Sequence, residues 1–169
     1  MFVCRLGYHI PPFTSVNHLH LHVLAPYSQI WEEVLHKFIP GGTRFVEDRD
    51  GELVCFRDLK PGATHHYLIV PKTHIDNCTK LGPDHIQLVE QMQDLGMRIL
   101  QMNKVSDLED IRMGFHVPPF SSVPHLHLHA LAPASDMCHR SIRRYGPQSH
   151  WFITVDNVLS QLKTRGKVK

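Results

Sequence analysis

RMGFHVPPFSSVPHLHLHALAP, from Arg112 to Pro133, carries three histidines at strict alternation, His125, His127 and His129, with leucines between them. On a β-strand successive side chains point to opposite faces, so the three imidazoles share one face while Leu126 and Leu128 enter the core from the other. Buried imidazoles need a partner for every ring nitrogen, which makes three in a row costly as mere structure. Two chemistries fit such a face. Three rings can coordinate a metal, or one neutral imidazole can attack phosphorus while its neighbours orient it and handle protons. No Asp or Glu flanks the strand as a further ligand. The preceding loop, PPFSSVP, instead offers the hydroxyls of Ser121 and Ser122 and backbone N–H groups for phosphate oxygens. These features favour the nucleophile and leave the metal as the alternative.

The neighbouring sequence supplies a sheet for this strand. Thr43 to Glu47 and Glu52 to Arg57 flank the turn-like DRDG and predict a hairpin. HHYLIVP, His65 to Pro71, is apolar and β-branched enough for a buried strand. Pro83 opens a helical pattern in which Ile86, Val89, Leu95 and Ile99 recur at helical spacing, ending near Asn103. Two strands follow, Asp110 to Phe115 and His125 to Leu131, then a short strand in WFIT and a closing helix in VDNVLSQL with Asp156 near its start. This order predicts an α+β fold: a mainly antiparallel sheet with a long packed helix and a C-terminal helix. Cys55 and Cys78 lie in apolar surroundings and read as buried packing. His74 and His85 read as surface residues.

The decisive stretch occurs twice. Arg5 to Pro26 reads RLGYHIPPFTSVNHLHLHVLAP, and at an offset of 107 positions it is identical to the later copy at 16 of 22 positions. Chance does not produce this, so the segment is a duplication. The first copy repeats the triad spacing as His18, His20 and His22, but nothing before it supplies partner strands. Residues 1–30 are therefore read as a duplicated partial motif, and residues 31–169 as the complete domain with its basic tail, KTRGKVK.

Bulk properties narrow the function classes. A net charge of +2 gives no case for a nucleic-acid-coating surface. The four cysteines are spread without a C-x-x-C pair, and the first ten residues contain Arg5 and His9 instead of a continuous apolar run. A reduced compartment is expected, the cytosol with the nucleus as a second location, and neither a leader nor a membrane span.

The stretch from His125 to Ala132 resembles the H-φ-H-φ-H-φ-φ signature of the histidine triad superfamily. The resemblance extends to DLKPGATHHYLIVPKTHI, Asp58 to Ile75, and covers about residues 40 to 155. It implies an enzyme that hydrolyses the P–N bond of purine nucleoside (adenosine) 5'-monophosphoramidates. The middle histidine, His127, would attack the α-phosphate and form a nucleotidyl-histidine that water then hydrolyses. His129 would contact phosphate and assist the leaving amine, and His125 would orient the nucleophile together with His66, the match to a fourth active-site histidine. Asp58 would bind the ribose hydroxyls and Leu59 would lie against the base. Ser121 and Ser122 match a phosphate-side loop, and His116, ahead of that loop, is placed with the nucleotide-binding residues. The resemblance further implies a homo-oligomer, formed through helix and sheet edge, that needs no cofactor.

The departures from the family pattern matter. Many members carry a C-x-x-C that helps to hold zinc. The matching stretch here, near VLHKFIPGG, has no cysteine, so no metal site is expected. The nucleotide-binding branch carries an asparagine where this chain has His116, and a longer Gly-rich loop. The short loop also resembles the branch that removes AMP from aborted DNA-ligation ends. That branch appends a C-x-x-C/H-x-x-x-H finger, whereas only Cys138 and His139 stand after this triad. Nucleic acid is therefore the weaker expectation. Dinucleoside polyphosphate hydrolysis and non-catalytic nucleotide binding as a scaffold are the remaining rival functions.

Overall fold

The computed structural model describes residues 51–121 and 123–169 throughout, and before them only the backbone of three short strands. These are β1 (Arg5–Gly7), β2 (His22–Leu24) and β3 (Val46–Glu47). The side chains of the first triad copy, and Ser122, lie outside the described residues. The chain divides into two compact units, Met1–Gly42 and Thr43–Lys169.

In the first unit β1 and β2 pair antiparallel in a two-stranded sheet, with Arg5 opposite Leu24 and Gly7 opposite His22. In the second unit Arg112 pairs with Leu131 and Gly114 with His129. Each pair is displaced by the same 107 positions as the repeat itself. The duplicated sequence thus keeps the pairing register of its counterpart.

The second unit holds a six-stranded antiparallel sheet in the order β3-β4-β5-β7-β6-β8. Its further strands are β4 (Leu53–Arg57), β5 (His65–Pro71), β6 (Arg112–His116), β7 (Leu128–Ala132) and β8 (Phe152–Thr154). The expected hairpin is present: Val46 pairs with Cys55, and Gly51 takes the left-handed φ of 70° that a tight return favours. Helix α1 (Ile86–Met102) buries Val89, Met92, Leu95, Ile99 and Leu100 against one face of the sheet. The same cluster takes in Cys55, Cys78, Leu126 and Leu128, so the leucines between the triad histidines do enter the core. Helix α3 (Val155–Arg165) closes that layer through Val158, Leu159 and Leu162. Thr154 caps it by accepting a hydrogen bond from the Asn157 amide, and Asp156 stands in its first turn. Among the described residues, no helix is long and apolar enough to cross a membrane.

The structure departs from the sequence reading at two places. Strand β7 begins at Leu128, not His125: its pairing with β5 stops at Ile69, and Pro71, two residues on, has no amide with which to extend the ladder. The freed Pro71 carbonyl accepts from the His125 ring at 2.9 Å, and the Leu126 amide donates to the Ile75 carbonyl at 2.6 Å. His125 and His127 therefore stand on an extension of the strand, held by hydrogen bonds outside the ladder. The second departure is helix α2 (His139–Tyr145), which stands between β7 and β8 where the sequence reading named no element.

Candidate active site

His129, on β7, is 4% exposed, and His66, on the neighbouring β5, is fully buried. The tautomers of this pair follow from the atoms around them. The Gly62 amide donates to His66 Nδ1 at 3.0 Å, so that nitrogen carries the lone pair and Nε2 carries the proton. His66 Nε2 lies 2.9 Å from His129 Nδ1 and 3.5 Å from Asp58 Oδ2. His129 Nδ1 is thus the acceptor, and its Nε2 is an N–H. That Nε2 is buried and, among the described residues, has no hydrogen-bond partner. A buried donor without an acceptor costs about 1–3 kcal/mol. Such an atom is worth keeping where a ligand supplies the acceptor.

His127 is fixed in the opposite sense. Its Nδ1 lies 2.7 Å from the backbone carbonyl of His125, which can only accept, so Nδ1 carries the proton and Nε2 the lone pair. His116, on β6, places Nδ1 3.1 Å from the Trp151 carbonyl and is protonated there by the same reasoning. Its ring meets that of His129 edge-on at 4.8 Å. Tyr145, at the end of α2, completes the wall with centroids 5.3 Å from His66, 5.1 Å from His116 and 5.2 Å from His129.

Burial sets the charge state of these rings. It lowers His66 to a pKa of about 3, helped by repulsion from His116 and His127. It lowers His127 to about 4, although the bond to the His125 carbonyl works the other way. His129 falls well below its ordinary value, and His116 is lowered as well, for the same first cause. At neutral pH the cluster is a set of neutral imidazoles, the form in which a ring nitrogen can act as nucleophile. Burial raises Asp58, opposed by its bond from the Lys60 amide and by the charges of Arg144 and Lys60.

Most of the residues singled out from sequence gather here. His66, His116, His127 and His129 surround one another, with Asp58 at the rim and His125 holding His127 through its carbonyl. Leu59, next to Asp58, is 44% exposed, an apolar surface open to a flat ligand. Ser121 lines a small cavity with His116, His125 and His127, but its hydroxyl is turned to the Val123 carbonyl at 2.9 Å. Sequence reading missed Tyr145, because the short polar helix that carries it shows no apolar period. It also placed His74 only at the surface, where it does lie, but His74 Nδ1 is 3.0 Å from His125 Nδ1.

Asp58, His66 and His129 bring three ligand atoms within 4.8 Å of one another, close enough to ask whether they hold a metal. Their chemistry points elsewhere. With Gly62 donating to Nδ1, His66 Nε2 holds a proton and not a lone pair, so that nitrogen cannot ligate in this arrangement.

Comparison with known proteins places this geometry. The family described as "Scavenger mRNA decapping enzyme C-term binding" matches residues 33–144. The adenosine 5'-monophosphoramidase HINT3 of Xenopus tropicalis is 54% identical over 114 residues, covering 68% of this chain and 74% of the relative. A crystal structure of a HIT family hydrolase from Legionella pneumophila Philadelphia 1 superposes with a TM-score of 0.50 at 28% identity, covering 59% of this chain and 88% of that one. The aprataxin ortholog Hnt3, crystallised in complex with DNA, has a TM-score of 0.52 at 21% identity over 81% of this chain and 74% of its own, a likeness of fold alone. The alternating histidines, the antiparallel α+β sheet and these matches agree: the chain belongs to the histidine triad superfamily.

Proposed function

We propose that this chain hydrolyses adenosine 5'-monophosphoramidates, with His127 as nucleophile. The observation that carries the reading is the pair of opposed tautomers. His127 keeps Nε2 as the electron-pair nitrogen because its Nδ1–H is committed to the His125 carbonyl, while His129 keeps a partnerless Nε2–H. One ring is set to attack and its neighbour to donate. The HINT3 relatives named as adenosine 5'-monophosphoramidases, 44–54% identical, support the substrate class.

In the first step His127 Nε2 forms a bond to the α-phosphorus and the P–N bond breaks. The amine leaves with the electron pair of that bond. Its nitrogen must already bear the extra proton, because His66 and His129 are neutral rings that carry one proton each, at Nε2. Surrendering one would leave an imidazolate in a buried site. His129 therefore acts as a donor to the charge that develops on phosphoryl oxygen. His127 becomes a nucleotidyl-imidazolium, its positive charge eased by the bond from Nδ1–H to the His125 carbonyl. Water then attacks phosphorus, the imidazole departs as the neutral ring, and the proton lost by the water passes to solvent. Asp58 is assigned to the ribose hydroxyls, and Leu59 to the base.

The test is turnover of an adenosine phosphoramidate with a fluorogenic amine, with and without chelator, beside His127→Ala. Turnover that survives the chelator and disappears in the variant is expected, with a nucleotidyl adduct on His127 in quenched wild-type enzyme. Undiminished turnover by folded His127→Ala rules out this nucleophile.

A further inference from the structure

Beyond the cluster described above, the first triad histidine belongs to a second chain of hydrogen bonds. After β5 the backbone runs Pro71-Lys72-Thr73-His74-Ile75 beside the triad segment, tied to it by the Pro71 and Ile75 carbonyls. His74 thereby meets His125, with Nδ1 facing Nδ1 at 3.0 Å and ring centroids 5.0 Å apart. The far nitrogen of His74, Nε2, lies 2.9 Å from Asp76 Oδ1, and the far nitrogen of His125, Nε2, lies 2.9 Å from the Pro71 carbonyl. The row reads carboxylate, imidazole, imidazole, carbonyl.

Counting protons decides its state. Both ends of the row are acceptors only, so its three hydrogen bonds need three protons on the two rings. Two neutral imidazoles carry two. The row is complete only when the pair holds one further proton, whose charge the Asp76 carboxylate balances. That proton belongs on His74, whose side chain is 33% exposed and touches the carboxylate, and not on His125, which is 2% exposed. Burial, which lowers His125, acts in the same direction. The three side chains do not converge on a common point, since Asp76 reaches the side of His74 turned away from His125; the row is a relay and not a ligand set.

We propose that His74, held by Asp76, is a positioning residue: by donating to His125 Nδ1 it locks the His125 ring onto the Pro71 carbonyl, and so fixes the main-chain carbonyl that orients His127. This rests on the reading of His127 as nucleophile. His125 is joined to the attacking ring through its own backbone, at 2.7 Å from His127 Nδ1, so a His125 ring free to rotate releases the residue that sets the nucleophile's tautomer. His74 itself touches none of the reacting atoms.

The proton count is read directly from two-bond nitrogen–proton NMR spectra of 15N-histidine-labelled protein, recorded at the pH of maximal activity. His74 is expected to show protons on both ring nitrogens and His125 a proton on Nε2 alone. Kinetics supply the second readout. His74→Ala is expected to lower kcat about tenfold, the effect of one hydrogen bond to a charged donor, with KM within about twofold. His74→Asn keeps an N–H donor near the place of Nδ1 and should recover most of the loss. A single ring proton on His74, wild-type kcat in the alanine variant, or an asparagine variant that folds and is no better than alanine would overturn the proposal. The wild-type spectrum decides the proton count even if the alanine variant does not fold. Turnover that persists in His127→Ala defeats the nucleophile and leaves the NMR count standing; a wrong count in an enzyme that depends on His127 defeats only the relay.

Discussion

Replacing His66 with phenylalanine removes two hydrogen bonds and a 3.5 Å approach to Asp58 Oδ2 while keeping a ring in place, which makes it the sharpest test of the tautomer argument. Phenylalanine keeps a ring in a fully buried position and preserves the edge-on contact with Tyr145, now at 5.3 Å. It leaves the Gly62 amide and His129 Nδ1 without partners. At ~1–3 kcal/mol for each orphaned group the fold loses roughly 2–6 kcal/mol, a large part of the 5–15 kcal/mol typical of a domain, so the variant is expected to fold with a lowered urea midpoint. Catalysis loses something different. Without the donor from His66, nothing holds His129 in the Nε2–H form, and its hydrogen bond to phosphoryl oxygen is no longer assured. A bond of that kind is worth ~1.5–3 kcal/mol, which converts to a fall in kcat of about 10- to 150-fold. The assay is kcat and KM for a fluorogenic adenosine phosphoramidate, with unfolding followed on the same samples. A folded His66→Phe enzyme with kcat within about twofold of wild type would refute the assignment of His129 as an oriented donor.

The same buried rings govern acid stability. The folded-state values of about 3 for His66 and about 4 for His127 lie below the unfolded value near 6.5, so between these limits the unfolded chain binds more protons. Stability is therefore complete above pH ~6.5 and falls as pH drops towards 4, and urea midpoints at pH 7.5, 6.5, 5.5 and 4.5 should decline in that order. A flat series would show that the rings charge without cost. Asp58→Asn should raise KM about tenfold while changing kcat less, because the carboxylate is assigned to ribose and not to phosphorus; a loss confined to kcat would contradict that role. Gly114→Ala would set a Cβ 2.2 Å from the Ile153 carbonyl and 2.6 Å from the Phe152 ring, forcing β6 and β8 apart. A cost of about 3 kcal/mol or more is expected, seen as a large drop in thermal midpoint, and a melt unchanged within a degree or two would contradict the packing.

The sequence made legible what depends on period and on local chemistry. Alternation assigned Leu126 and Leu128 to the core and the histidines to the opposite side, as found. Helical spacing from Pro83 to Asn103 anticipated α1, although its first turn is a 3-10 turn over Pro83–His85. What escaped depends on atoms brought together from afar. Nothing in HRSIRRYG announces that Tyr145 lies against three histidines, because α2 is polar along its length and gains its place from the cluster of Leu131, Met137, Tyr145 and Phe152. His74 stands 51 positions from His125, and only the end of β5 at Pro71 turns the chain so that the two rings meet. The start of β7 escaped for a related reason: alternation continues through His125, but ladder pairing stops at Leu128 opposite Ile69, and Pro71 further along β5 has no amide to resume it.

Two features of the site pull against each other, and their balance explains its form. A nucleophilic imidazole must stay neutral near pH 7, and burial among other rings accomplishes this for His127. The same burial removes the water that would satisfy each ring, so every nitrogen must be answered by a fixed atom or be charged against stability. The fold answers largely with backbone: the Gly62 amide on His66, the His125 carbonyl on His127, the Trp151 carbonyl on His116 and the Pro71 carbonyl on His125. Backbone groups cannot change their donor or acceptor character with pH or rotamer, so each tautomer is imposed and not chosen. Side-chain amides in these places would allow a flip, and with it a ring presenting N–H where a lone pair is needed. His129 is the exception that gives the arrangement a purpose, since its Nδ1 is answered by His66 while its Nε2–H is left over. A site designed only for stability would have paired that proton. One that binds an anionic phosphoryl group gains from leaving it open, since the ligand then supplies the last acceptor and binding completes the network.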